Sequence, residues 1–381
     1  MYNDFLNPDF KNLCWLNANG RNILAYNPID KFVGSDINKF KKFAKKHSKH
    51  KLIGYFSYDL AYQLHKIKQT ATDDLELPLI YFLAFDKWHE DFTLPQAPST
   101  PHTSTNFAPT MSAKEYAHAY KQIKSHITDG NIYQINLTHR LEAQTDLAPR
   151  ELFLKTIAHN PVNYSAYIEG DGFQILSASP EHFLTIKDNK ISTSPVKGTR
   201  PRGKTPAQDA KLKKELLESP KETAELNMIT DLLRNDLGKI AKTNSVTVDA
   251  HRLFSQCPTV WHTYSQISAE LAADPLEALI STLPGGSITG CPKHRAMQII
   301  DQLEPTTRGI YTGNIGYIDG DELDFNIAIR TIIKKGQKLH LQVGGGIVLD
   351  STEESEYQET LDKAKSFMKI IHQNSSPKDH T

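Results

Sequence analysis

Three strand-like segments follow one another in the last third of the chain, GNIGYID, LDFNIAIRTIIKK and KLHLQVGGGIVLD, separated only by short turns. Links this short join strands that run antiparallel, because a parallel crossover consumes a dozen or more residues. Further upstream FQILSAS, HFLTIKD and KISTSPV read as a short meander of the same kind. Helical segments fall in runs between these groups and do not alternate strictly with single strands. This order selects an α+β fold with antiparallel sheets over a doubly wound one.

Before residue 93, KLIGYFSYDLAY and LPLIYFLAFD are rich in aromatic and branched residues and bounded by Gly, Pro and Asp, the pattern of strands buried on both faces. Residues 93–111 carry four prolines among Ser and Thr and read as a solvated connector. Ser112 with Glu115 then forms a capping box, and Tyr116, Tyr120, Ile123 and Ile127 continue at helical spacing until Asp129 and Gly130. NIYQINLTHRLEA alternates like a strand. Residues 211–237 read as two helices broken at Ser219 and Pro220. Residues 353–371 read as a helix whose apolar face is Tyr357, Leu361, Ala364, Met368 and Ile371. The expected organisation is a strand-rich region (1–92), the connector (93–111), a main domain (112–372) and a disordered tail (373–381).

Lys+Arg and Asp+Glu are equal at 44 each, so the chain has no basic body for non-specific binding of nucleic acid or a membrane surface. The longest apolar run, around Leu79 to Phe85, is less than half of the roughly 18 residues that a membrane helix needs. The first residues lack the basic and apolar regions of a secretory signal, and Cys14, Cys257 and Cys291 form no CxxC pair. A reducing cytoplasm is the expected location.

Five features carry possible chemistry. Glu222 and Glu225 lie three apart on one predicted helix, and Glu356 and Glu359 repeat the spacing on another. If the helices converge, four carboxylates face one space and call for a hard cation such as Mg²⁺ or Ca²⁺; alternatively Glu222 only completes a cap with Ser219. The loop 194–204, SPVKGTRPRGK, gathers Lys197, Arg200, Arg202 and Lys204, suited to an anionic small molecule, to RNA, or to a plain basic surface. Glu181 follows Pro180 at a strand end, where a general acid can sit or a Glu is simply exposed. Gly-rich backbone at LPGGSITGCPKHRA and VGGGIV can approach a carboxylate closely or serve turns, and His262 in VWHTYSQI fits a core histidine as well as a base.

The order of these motifs is informative beyond each alone. ASPEHFL, PVKGTRPRG, ETAELNMITDLLRNDLGK, VWHTYSQI, LPGGSITGCPKHRAMQIIDQLEP, RGIYTGNIGY, NIAIR, QVGGGIVLDS and SEYQETLDKA together resemble the chorismate-utilising enzymes over residues 112–367. The resemblance implies two stacked, mainly antiparallel sheets flanked by helices, with the site in the cleft between them. Within the family, the chain looks most like the aminodeoxychorismate synthase component I branch. Anthranilate synthases, the nearest alternative, carry Ala where PVKGT has Lys197, and end the GNIYQINLTHR pattern in Val-Pro where this chain has Asn-Leu. Isochorismate-forming relatives place a catalytic lysine where this chain has Gln134.

The resemblance further implies that chorismate and ammonia become 4-amino-4-deoxychorismate, a precursor of p-aminobenzoate and folate. Lys197 is the implied nucleophile and Glu181 the implied acid. Glu222, Glu225, Glu356 and Glu359 match the family's Mg²⁺ ligands, and Tyr311, Arg330 and Gly344 match its binding site for the enolpyruvyl carboxylate. Thr289 and Lys293 are expected to line the same pocket, and His262 to lie beside the ring. No glutaminase motif stands in this sequence, so a separate glutamine amidotransferase subunit is the implied ammonia source. Departures from the family pattern are a short region before Ser112, His182 for Arg, Cys291 for Ala, and VGGGI for AGAGI. A silent anion or RNA binder using Lys197 to Lys204 is the remote alternative.

Overall fold

A computed structural model describes residues 4–256, 260–372 and 375–376 of the 381-residue chain. Two ten-stranded sheets form the body, and the pairings within them are antiparallel. The first sheet runs from Gly290–Cys291 through Gln134–Gln144, Lys338–Ile347, Thr331–Lys335, Gln174–Ser179, Tyr164–Glu169 and Cys14–Ala18 to Arg21–Ala25 and Trp88–Glu90. The second runs from Val196–Pro201 through Val260–Glu270, Lys190–Thr193, His182–Lys187, Glu322–Asn326, Asn314–Asp319, Lys51–Phe56 and Ile80–Phe85 to Asp30–Gly34; the tenth strands, Ala108–Pro109 beside Gln134–Gln144 and Thr247–Gln256 beside Val260–Glu270, lie off these paths.

The sheets stack face to face with helices outside, and period-two alternation shows it directly. In Ile80–Phe85, Tyr81, Leu83 and Phe85 join the core between the sheets with Ile53, Tyr55, Ile168 and Ile175. The intervening Ile80, Phe82 and Ala84 face a second core with Phe40, Ile229, Leu233 and Leu279 from the helices. A strand buried on both faces needs no polar side, which is why this segment reads as a continuous apolar run. A third core packs Phe153, Ala364, Phe367 and Ile371 onto the outer face of the first sheet.

The helix Ala113–Thr128 starts at the expected capping box. Ser219 caps Pro220–Gly238 through the Glu222 amide, and Pro220 stands at its first position. Among the described residues no helix is long and apolar enough to cross a membrane.

Four expectations are corrected. FQILSAS does not belong to the meander: Gln174–Ser179 lies in the first sheet and His182–Lys187 in the second, so the chain crosses between sheets at Pro180 and Glu181. LDFNIAIRTIIKK is broken in the same way, with Glu322–Asn326 in the second sheet, Thr331–Lys335 in the first and residues 327–330 between them. At Pro180 and Glu181 the sequence marks a strand end but not a change of sheet, whereas the apolar Ile327, Ala328 and Ile329 hide the second break altogether. The loop expected at 194–204 is a strand over Val196–Pro201, paired with Val260–Glu270, which supplies the hydrogen bonds its composition does not advertise.

The connector is packed as well. Leu94 and Ala97 rest on the first sheet's outer core, Phe107 is buried in it, and His102 Nε2 meets the Ile371 carbonyl at 2.9 Å. Three apolar side chains without a period produce no helical or strand signal. Residues 93–111 do not divide two folding units, because Cys14–Ala18 pairs with Tyr164–Glu169 and Lys51–Phe56 with Asn314–Asp319. Of the expected tail, Ser375–Ser376 pairs with His102–Thr103, and the remaining positions lie outside the described residues.

Candidate active site

The two sheet-to-sheet crossings lie side by side and build the centre of the site. The Ile327 amide donates to the Glu181 carbonyl at 3.0 Å, and the Ala178 amide to the Arg330 carbonyl at 3.0 Å. Arg330 turns into the first sheet with φ of 49°, a left-handed conformation uncommon for a side-chain-bearing residue. Glu181 and Arg330 therefore stand on adjacent links at the seam of the two sheets.

Lys197 approaches from the edge of the second sheet. The register of Val196–Pro201 slips between Lys197 and Thr199, and Gly198 takes up the slip with φ of +76°. A Cβ there would sit 2.8 Å from Leu216 Cδ1 and 3.1 Å from Glu222 Oε2, so only glycine suits both the conformation and the space. The Thr263 hydroxyl anchors the bulge by donating to the Lys197 carbonyl.

These residues line a cavity of about 570 Å³ with Arg200, Lys221, Glu222, Glu225, His262, Glu356, Glu359 and Lys363. A smaller lobe of about 140 Å³ shares Glu181, Lys197, Arg330, Gly346 and Lys363 with it and adds Asn136, Ser287, Tyr311 and Gly344. Of the expected residues, Lys197, Glu181, Tyr311, Arg330, Gly344, His262 and the four glutamates thus come together. Thr289 and Lys293 do not line either space. Thr289 is fully buried, its hydroxyl bonding the Gly285 and Gly286 carbonyls, and Lys293 is paired with Asp236 at 2.8 Å. A short motif places its members close in space, but which way each faces is decided by the local turn.

Burial pushes the Glu181 carboxyl above the usual carboxylate range, opposed by the Lys197 charge, the Ser287 hydroxyl and, less strongly, Lys363 and Arg330. Such a carboxyl holds its proton more readily than an exposed one, which suits a general acid. Burial and then the Arg330 charge lower His262, favouring neutral imidazole. Burial raises the Tyr311 phenol, which stays a hydroxyl donor.

The glutamates behave as a crowded anionic set. Burial raises Glu225 and Glu356, and like-charged neighbours add to both, Glu222 and Glu359 for the first and Glu359 for the second. Glu359 is also pushed up by burial, but Lys363, bonded to it at 2.8 Å, outweighs this and leaves it below the usual range. Glu222 accepts from Arg200 at 3.1 Å and Glu356 from Ser351 at 2.7 Å. An all-carboxylate set under like-charge strain fits a hard divalent cation in donor chemistry. As the side chains stand, among the described residues no three acidic, His or Cys groups are gathered closely enough to bind an ion.

Sequence reasoning missed Lys363, Ser287, Asn136 and Lys221. Lys363 had a usable signal, one turn after Glu359 on the same helix face. Ser287 stood inside a noted glycine-rich motif. Asn136 stood in the Asn-Leu pair of GNIYQINLTHR, which was read for its place in the pattern and not as part of the cavity.

A sequence profile described as chorismate binding enzyme matches residues 18–369, and the chain belongs to this family. It is 36% identical over 358 residues to an aminodeoxychorismate synthase component 1 from Bacillus subtilis, covering 84% of this chain and 76% of that protein. It is 35% identical over 369 residues to an anthranilate synthase component 1 from Haloarcula marismortui, covering 84% and 75%. Among solved structures, anthranilate synthase component I from Streptococcus pneumoniae superposes with a TM-score of 0.82 at 27% identity, over 91% of this chain and 92% of that one. The fold that carries this cavity is accordingly that of the chorismate-utilising enzymes.

Proposed function

We propose that the chain converts chorismate and ammonia to 4-amino-4-deoxychorismate. The observation that carries this reading is that Lys197 and Glu181 line one cavity, a nucleophile beside a proton-holding carboxyl. The Lys197 amine attacks ring C2, both ring double bonds shift (C1=C2 to C1=C6 and C5=C6 to C4=C5) and the C4–O bond breaks; Glu181 gives its proton to that oxygen, which leaves as water. The lysine nitrogen returns a proton to Glu181. Ammonia then bonds to C4, the C2–N bond breaks, and Glu181 passes the proton back to the departing Lys197 while the new ammonium sheds one.

Arg330 and Tyr311 receive the enolpyruvyl carboxylate, the guanidinium by paired N–H donors. Glu222, Glu225, Glu356 and Glu359 would hold Mg²⁺, which when bound neutralises the ring carboxylate against this acidic wall. The ammonia comes from a glutamine amidotransferase subunit, in keeping with relatives named as component 1.

Anthranilate formation is the second reading, favoured by relatives of equal identity and by a neutral His262 beside the cavity. Incubation of the purified chain with chorismate, Mg²⁺ and an ammonium salt, with EDTA as control, separates the two. An amino-substituted chorismate retaining its enolpyruvyl group supports the proposal. Anthranilate with free pyruvate overturns it.

A further inference from the structure

Ser287 is not among the expected site residues, yet its hydroxyl donates to the Glu181 side chain, Oγ to Oε1 at 2.8 Å. Both partners are fixed. The Glu181 amide donates to Ser179 Oγ at 3.1 Å and its carbonyl is held by Ile327. On the other side, Thr289 closes the turn that carries Ser287 by bonding the Gly285 and Gly286 carbonyls at 3.1 Å. Arg308 and Asn136 both donate to the Ile288 carbonyl, at 3.0 and 3.2 Å, and Arg308 is locked by Glu304 at 2.7 Å. The serine is 9% exposed, so water does not compete freely for its hydroxyl.

We propose that Ser287 is a positioning residue for the acid: its hydroxyl holds Oε1 of Glu181 and leaves Oε2 as the oxygen that delivers the proton into the cavity. The inference rests on the reading of Glu181 as the proton donor. The groups facing that carboxyl are Lys197 on the second sheet's edge, Arg330 on the neighbouring crossing, Lys363 on the C-terminal helix, the Tyr311 phenol, and His262 on the strand behind Lys197. All of them stay in place when Ser287 alone is changed. A hydroxyl donor favours the ionised carboxylate over the acid, so its removal lets burial raise Glu181 further.

The test is the pH profile of saturated turnover for Ser287→Ala with chorismate, Mg²⁺ and ammonium. The alkaline limb, where the acid loses its proton, moves up by about one pH unit, and plateau turnover falls about tenfold, the worth of one hydrogen bond to a charged group. Ser287→Thr keeps the hydroxyl and restores both. If the alanine variant does not fold, Ser287→Cys, with a weaker donor of similar size, must shift the limb in the same direction. An unshifted limb overturns the positioning role. Glu181→Gln separates the two failures: loss of turnover there with an unmoved Ser287→Ala limb sinks this inference alone, whereas a fully active Glu181→Gln sinks the acid assignment itself.

Discussion

Arg200 donates to Glu222 at 3.1 Å, so a carboxylate expected to bind metal is engaged by a cation of the protein's own. Removing that competitor in Arg200→Gln leaves Glu222 with its charge and without its partner. Partly exposed pairs of this kind are worth about 0.2–1 kcal/mol, so Mg²⁺ binding measured by calorimetry without chorismate should tighten by roughly two- to fivefold. Weaker binding would mean that Arg200 holds Glu222 in place for the ion.

Lys197→Ala is expected to keep the melting temperature and Mg²⁺ affinity of the parent while turnover falls by roughly a hundredfold or more. A matching observation comes from the parent chain: intact mass spectrometry with chorismate and no ammonia should reveal an adduct on Lys197. Undiminished turnover in the variant would remove the nucleophile from the scheme.

Gly198→Ala tests the bulge. The alanine must accept φ of +76° and crowd Leu216, so the strand relaxes and carries Lys197 with it. Turnover should drop at least tenfold with a stability loss of only about 1–2 kcal/mol, read by denaturant titration. Equal activity would show that the bulge does not aim the lysine.

Asp59 links stability to pH. Burial holds it at about 7, against an ordinary 3.8, and its Oδ2 accepts from the Gly309 amide at 2.8 Å. Below about pH 4 both folded and unfolded chains carry the proton. Between about pH 4 and 7 the unfolded chain gives it up first and stability falls; above 7 the loss is complete. Asp59→Asn keeps an acceptor for Gly309 and removes this dependence. Relative to the parent, the variant should gain about 1–3 kcal/mol between pH 4 and pH 8 in urea unfolding, the remaining slope including Asp324, also held at about 7 by burial. A constant difference would place the proton elsewhere.

The fold class was legible because antiparallel neighbours announce themselves through short turns, and because caps such as Ser112 with Glu115 are local. The crossings were not: the strand end at Pro180 and Glu181 does not say which sheet comes next, and the apolar Ile327, Ala328 and Ile329 conceal the second change of sheet. Lys197, Glu181 and the glutamates were found through ordered motifs; Ser287 and Asn136 stood in quoted motifs too, but their place in the cavity depends on a turn and a strand brought together only by the fold. Thr289 and Lys293 show the converse error, where motif membership was taken for orientation.

The side-by-side crossings tie the acid and its arginine neighbour to the alignment of two independent sheets. The layer that sets this alignment includes Ile53 and Tyr55 from the N-terminal strands, which touch no part of the cavity. On the proposed role of Glu181, turnover is therefore a gauge of how the halves of the sandwich are seated. A contact that slides one sheet against the other, from however far away, reaches the reaction as a change in geometry before it is felt as a loss of folding.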